Sequence, residues 1–262
     1  MNKKKVLIIN DVTGYGRVSS FAMFPVMAQY GLHPYLLPTA IVSNTMDYGS
    51  SEILDTTDFM RSTVLKWEDF GFSFHTVATG LINSTEQVDI ICKLIESQDS
   101  PYVMVDPIMA DSGELYPGMY EGANECNRRL ASLADLIVPN FTEACMLAES
   151  YCDRIALSDE EYQDLAEKLL NLGPAAIVIS GCTDAEGKSF NLICEADGKP
   201  KKLYYDRIPQ QFIGTGDVFS ACILSEIMTG ADLEHSVESA ARFVRTVITD
   251  NLNNNDHFDL II

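Results

Sequence analysis

Short runs of apolar, β-prone residues alternate with stretches whose apolar positions return every three or four residues, through most of the chain. VLIIN (6–10) predicts a strand and is followed by a helix over 18–30, with a second apolar run, PYLLPTAIVSN, over 34–44. HTVATG (75–80) predicts a strand and 84–97 a helix. YVMVD (102–106) precedes a loop and a helix over 121–132, and DLIVPN (135–140) precedes a helix over 141–150. The helix SDEEYQDLAEKLLNLG opens with a capping-box pattern, Ser158 and Glu161, stops at Gly173 and Pro174, and leads into AAIVIS (175–180). Over 189–206 the rhythm changes to two β-like runs joined by Asp197–Gly198, which predicts an antiparallel hairpin. Helices over 216–229 and 233–249 follow, then the polar break and short apolar tail of NLNNNDHFDLII. This alternation predicts an α/β fold with a mostly parallel central sheet and helices on both faces. With no internal repeat or linker, one domain over 1–262 is the expectation.

In such sheets ligands bind beyond the carboxyl ends of the strands. The residues expected there are Asn10 and Asp11 after the first strand, Asp106 after YVMV, Asn140 after LIVP and Ser180 after AIVI.

Composition narrows the partners. A formal charge of −20 offers no basic patch for nucleic acid or an anionic membrane, so an anionic ligand must be held by amides, a helix start or a metal ion. No window approaches a membrane span. The N-terminus MNKKKVLIIN has too short an apolar run for a secretory signal. Seven cysteines, none in a CxxC pair and most in apolar surroundings, predict buried free thiols and a cytoplasmic setting.

IGTGDVFSA (213–221) sets the main chemical question. Gly214 and Gly216 let several N–H groups turn toward one point at a helix start, an anion nest, and Asp217 beside it could accept a proton from a hydroxyl attacking a bound phosphate. Asp217 could equally cap or flank the helix. In DPIMADSG (106–113), Asp106 and Asp111 flank a loop fixed by Pro107, suited either to a hydrated Mg²⁺ or to a solvated turn. In VPNFTEA (138–144), Asn140 and Glu143 have the spacing of a capping motif. NDVTGYGRVSS (10–20) carries Gly14 and Gly16 in GxG spacing, but Ser19 stands where a dinucleotide fingerprint has its third glycine, and the second apolar run does not end in an acidic residue. No GxxxxGK[ST] loop is present, and the four histidines fit no metal or nucleophile spacing.

The order of these segments, the first glycine loop, TAIVSNTMDYG, Thr79–Gly80, DPIMADSG, VPNFTEA and GTGD, resembles the ribokinase superfamily, and within it the pyridoxal/pyridoxamine kinases of vitamin B6 salvage. The resemblance implies a ribokinase-like three-layer αβα sandwich and transfer of phosphate from ATP to a hydroxymethyl group. It implies Asp217 as base with the amides of Gly214, Thr215 and Gly216 as anion hole. Asn140, Thr142, Ser180 and Thr215 would serve the nucleotide, and Asp106, Asp111 and Glu143 the metal. Asp11, Ser43, Thr45, Tyr48, Gly80, Tyr116 and Asp217 would serve the B6 vitamer. Mg²⁺, a monovalent cation (K⁺ or Na⁺) and a homodimer are further implications. Two segments depart from the B6 pattern: Asp11 replaces a common serine, as in hydroxymethylpyrimidine kinases, and Thr45 and Met46 replace histidine and threonine. A hydroxymethylpyrimidine or other small-alcohol kinase is therefore the alternative enzyme. A catalytically silent vitamin or nucleotide binder is the alternative of another class, opposed by the presence of Asp217 with both flanking glycines.

Overall fold

The structure, a computed structural model, describes residues 5–45, 48–196, 198–210, 212–252 and 262. The chain forms two units, residues 1–101 with 207–262, and residues 102–206.

The first unit begins with β1 (Lys5–Tyr15), α1 (Ser19–Gln29), β2 (His33–Asn44), β3 (Ile53–Asp55), α2 (Thr57–Asp69), β4 (Thr76–Thr79) and α3 (Thr85–Glu96). β1 is central and pairs in parallel with β2 and β4, while β3 lies antiparallel on β2. Leu7, Ile8 and Ile9 have no exposed surface, as expected of a strand with apolar cover on both sides. α1 buries Ala22, Met23, Val26 and Met27 along one stripe. α3 starts where Ser84 accepts the Gln87 N–H.

The second unit contains β5 (Tyr102–Val105), β6 (Ala110–Asp111), β7 (Glu114–Leu115), α4 (Ala123–Ala131), β8 (Leu136–Ile137), α5 (Phe141–Leu147), α6 (Asp159–Leu170), β9 (Ala176–Thr183), β10 (Ser189–Glu195) and β11 (Lys201–Tyr204). β5, β8 and β9 are parallel neighbours, and β10 and β11 extend the sheet in antiparallel fashion. The predicted hairpin is thus present, although Asp197 of its turn lies outside the described residues. Its core is anchored by Tyr162 and Phe190, both fully buried, with rings 5.0 Å apart edge to face. The Ser158–Glu161 capping box is formed. The chain then returns to the first unit with α7 (Thr215–Thr229) and α8 (Leu233–Asn251). There α7 packs on both α1 and α8, and α2 packs on α3.

Two expectations need correction. The first strand does not end at Asn10. It continues to Tyr15 because β2 runs beside it and pairs Val12 with Ile41, Thr13 with Val42 and Tyr15 with Asn44. A register shift between Asn10 and Val12 places Asn10 and Asp11 at a bulge within the strand, a common way of re-aiming a side chain. Ser180 likewise lies inside β9 rather than after it, because pairing with β10 carries that strand on to Thr183.

Candidate active site

In the first unit, the bulge of β1, the loop leading into α1 and the start of α7 form one cluster. Asn10 is fully buried, and its Oδ1 accepts the N–H groups of Asp11 at 2.9 Å and Leu81 at 2.8 Å. The chain at residue 80 must pass against that amide. A Cβ at Gly80 would lie 2.4 Å from Asn10 Cγ, so the glycine is required by this close approach.

Asp11 is 3% exposed. Its carboxylate accepts the Thr13 hydroxyl at 2.9 Å and lies beside the Ser19 hydroxyl, and its carbonyl accepts the Ser20 hydroxyl at 2.8 Å. Burial raises its pKa above the ordinary carboxylate range, while the two hydroxyl donors oppose that rise.

α7 begins at Gly214, whose φ of 84° is left-handed, and a Cβ there would lie 2.5 Å from the Arg17 carbonyl oxygen. Only glycine lets the first loop approach so closely. The first bond of this helix runs from the Val218 N–H to the Gly214 carbonyl at 3.0 Å, so the amides of Thr215, Gly216 and Asp217 stand ahead of the helical ladder. Thr215 Oγ1 donates to the Phe212 carbonyl at 3.1 Å, and Gly216 is exposed.

Asp217 lies two residues into α7, half-buried, and the helix has no side-chain cap. Its Oδ2 accepts the N–H of Ser19 at 2.8 Å, from a residue 198 positions earlier. The Asp217 carboxylate is therefore held by the first loop.

Of the other vitamer-side candidates, Ser43 bonds Asn44 and the Glu52 N–H. Tyr48 stacks edge to face on Tyr15, with centroids 5.6 Å apart. Thr45 is buried, and its Oγ1 has no hydrogen-bond partner among the described residues. Met46 lies outside the described residues. A cavity of about 370 Å³ opens beside the first loop, lined by residues 14–17, Phe21, Pro25 and Ile262; neither Asp11 nor Asp217 lines it.

In the second unit, Asn140 and Glu143 form the expected capping box at the start of α5. Both are engaged further. Asn140 Nδ2 donates to the Ala110 carbonyl at 2.7 Å, and Glu143 accepts the N–H groups of Met109, Ala110 and Asn140. Glu143 thus ties the DPIMADSG loop to α5. Its pKa is raised well above the usual range, first by burial and then by the charge of Asp106. Asp106 is half-buried, whereas Asp111 is exposed and accepts the Ser112 N–H at 2.7 Å. Thr142 Oγ1 accepts the Gly113 N–H at 3.0 Å, Ser180 bridges to Asn140, and Tyr116 follows the small β6–β7 hairpin with its N–H on the Met109 carbonyl.

The first unit thus gathers Asp11, Gly214 and Asp217, and the second gathers Asp106, Asn140, Thr142 and Glu143. Asp106, Asp111 and Glu143 do not make a direct three-carboxylate metal site: among the described residues no group of three or more His, Cys, Asp or Glu is arranged to hold an ion. Asn10 and Ser19 carry bonds that the sequence did not assign to them. For Ser19 a signal existed, a serine displacing the third glycine at a helix start.

Amides at a helix start, beside a carboxylate held from outside that helix, are chemically suited to cradle an anion and to accept a proton, the two elements needed to move phosphate onto an alcohol. The protein is an ATP-dependent phosphotransferase with an alcohol as acceptor. More particularly, the chain belongs to the phosphomethylpyrimidine kinase family, which matches residues 24–260. A pyridoxine/pyridoxal/pyridoxamine kinase of Bordetella avium is 25% identical over 253 residues, 91% of this chain and 82% of that protein. A hydroxymethylpyrimidine/phosphomethylpyrimidine kinase of Haemophilus influenzae is 25% identical over 188 residues, covering 70% and 68%. A Bacteroides thetaiotaomicron protein assigned to the phosphomethylpyrimidine kinases, solved in an orthorhombic form with pyridoxal, superposes with a TM-score of 0.91 at 27% identity, covering 98% of this chain and 91% of that one. These likenesses bear out the expected ribokinase-like α/β fold.

Proposed function

We propose that the protein is a pyridoxal kinase that transfers the terminal phosphate of ATP to the 5′-hydroxymethyl group of a B6 vitamer, acting as one domain over residues 1–262. The observation that carries this reading is the Ser19 N–H bond to Asp217, which holds the carboxylate by a loop outside its own helix. An aspartate so held is suited to accept a proton rather than to terminate a helix.

In this reading Asp217 takes the hydroxyl proton as the bond to phosphorus forms. The amides at 214–216 receive the charge that develops on the phosphoryl oxygens, where losing one comparable donor costs about 100- to 1000-fold in rate. Asp11 and Thr45 bind the ring, with Ser43, Tyr48, Gly80 and Tyr116 around it. Asn140, Thr142, Ser180 and Thr215 serve the nucleotide. Binding and orientation supply most of the acceleration, since phosphoryl transfer asks little covalent work of the protein.

Mg²⁺ fits the carboxylates of the second unit in one form. Glu143 spends its oxygens on three backbone N–H groups, and its pKa is raised first by burial and then by the neighbouring charge of Asp106. A cation that keeps its waters and is held chiefly by nucleotide phosphates suits Asp106, with Glu143 behind it and Asp111 at the rim. Bound there, it would neutralise phosphate charge. The monovalent cation, K⁺ or Na⁺, and the homodimer remain parts of the reading carried by the family resemblance. A cytoplasmic setting is supported by seven free cysteines, of which only Cys152 is exposed. No described helix is long and apolar enough to cross a membrane.

Hydroxymethylpyrimidine is the second acceptor to consider, favoured by Asp11 and by the Haemophilus relative. Release of ADP with and without pyridoxal tests the proposal. Pyridoxal-dependent release supports it; binding of pyridoxal with no ADP formed would return the chain to a silent binder.

A further inference from the structure

The first loop does more than approach the catalytic helix. Ser19 opens α1 with a φ of 52°, the left-handed region that a residue with a side chain seldom occupies. It follows Val18, whose extended backbone (φ −129°, ψ 173°) forms the N-cap. In that conformation the Ser19 N–H donates to Asp217 Oδ2 at 2.8 Å, while its hydroxyl stands beside the carboxylate of Asp11. Next to it the Arg17 carbonyl lies against the bare Cα of Gly214. One residue therefore touches the carboxylates of both Asp11 and Asp217, and the loop that carries it is pressed against the helix that carries one of them.

We propose that Ser19 is a positioning residue for phosphoryl transfer: its left-handed backbone aims its N–H at Asp217, and its hydroxyl, set beside Asp11, helps to hold that conformation. The carboxylate at 217 then has one orientation, with the ring-side carboxylate at 11 fixed relative to it. This inference rests on Asp217 being the base. The arrangement explains why a serine stands here. Glycine would take the same φ without a tether, whereas alanine would have neither the tether nor the freedom and would relax toward negative φ, withdrawing the N–H.

The test uses the full chain with ATP and pyridoxal and compares Ser19→Ala, Ser19→Gly, Asp217→Asn and the double variant Ser19→Ala/Asp217→Asn, with thermal melts alongside. Ser19→Ala is expected to lower kcat roughly ten- to a hundredfold with KM for ATP little changed, because the base is misaligned rather than lost. Ser19→Gly should lose at least about fivefold less than Ser19→Ala, since it keeps the backbone geometry. In the Asp217→Asn background, Ser19→Ala should change the residual rate by less than about twofold, because both substitutions remove the same contribution. Equal fractional losses from Ser19→Ala in both backgrounds, or equal losses in the glycine and alanine variants, would overturn the assignment. If the alanine variant fails to fold, the glycine variant is judged by the same cycle with Asp217→Asn, and a full additive loss there overturns it. Near-normal turnover in Asp217→Asn alone would instead refute the base itself, so the two failures are distinguishable.

Discussion

Replacing Asp217 with asparagine separates chemistry from architecture at the site. The amide keeps the size of the side chain and an oxygen that can accept the Ser19 N–H, whose bond is 2.8 Å long and partly buried. What it loses is charge. A hydrogen bond to a charged acceptor contributes about 1.5–3 kcal/mol and one to a neutral acceptor about 0.5–1.5, a difference of about 1 kcal/mol. Loss of an acid from the first turn of α7 removes about 0.3–1 kcal/mol more of favourable dipole interaction. Relief of self-repulsion in a chain of charge −20 acts in the opposite direction. The net loss should therefore not exceed about 2 kcal/mol, a fall in Tm of at most about 8 °C. The catalytic effect should be far larger, because an amide cannot take the proton: a fall in kcat of about 100- to 10,000-fold, with KM for ATP within about threefold of the wild type. A coupled assay of ADP release with pyridoxal, run beside a thermal melt, reads both quantities. A variant that melts as expected and keeps kcat within about tenfold of the wild type would refute Asp217 as the base.

Three further outcomes follow from individual side chains. Thr45→Val removes a buried hydroxyl that lacks a partner among the described residues, so the ligand-free protein should gain about 1 kcal/mol while KM for pyridoxal rises about two- to tenfold; unchanged KM with unchanged Tm contradicts the assigned contact. Asp11 has a raised pKa in the folded chain, so unfolding favours its ionised form and its charge destabilises the fold at neutral pH. Lowering the pH from about 7 toward about 4 should make the wild type gain stability relative to Asp11→Asn in denaturant titrations, and a gap that does not move in that direction contradicts the burial argument. Because Cys152 is the one exposed thiol of seven, a thiol reagent should modify one group rapidly in the native protein and six more on unfolding; two or more fast groups would contradict the packing.

Much of the fold was legible because its strands are apolar and its helices carry their own stop signals. The Ser158–Glu161 box, the Gly173–Pro174 stop and the 189–206 hairpin are local devices, and each formed as its residues indicate. α2 was not legible: Phe59 and Leu65 are exposed, so its apolar residues do not follow its buried face of Thr57, Met60 and Val64. The extension of β1 past Asn10 was hidden for a different reason. Its polar residues read as the end of a strand, and only pairing with β2 keeps them extended. The site followed the same division. Asn140 with Glu143 was visible as a cap because its bonds span three residues, whereas the link from Ser19 to Asp217 spans 198 and leaves no periodic trace. Gly214 reads as part of an anion nest and Gly80 as part of a segment of the family resemblance, but their close contacts with Arg17 and Asn10 are properties of the folded chain.

The most direct test is a side-by-side measurement of kcat/KM for pyridoxal and hydroxymethylpyrimidine at saturating ATP, with the phosphorylated products identified by mass. A pyridoxal kinase should prefer pyridoxal by at least about tenfold and place the phosphate on its 5′-hydroxymethyl group, the preference disappearing with turnover in Asp217→Asn. Faster phosphorylation of hydroxymethylpyrimidine, or transfer to neither alcohol, would contradict it.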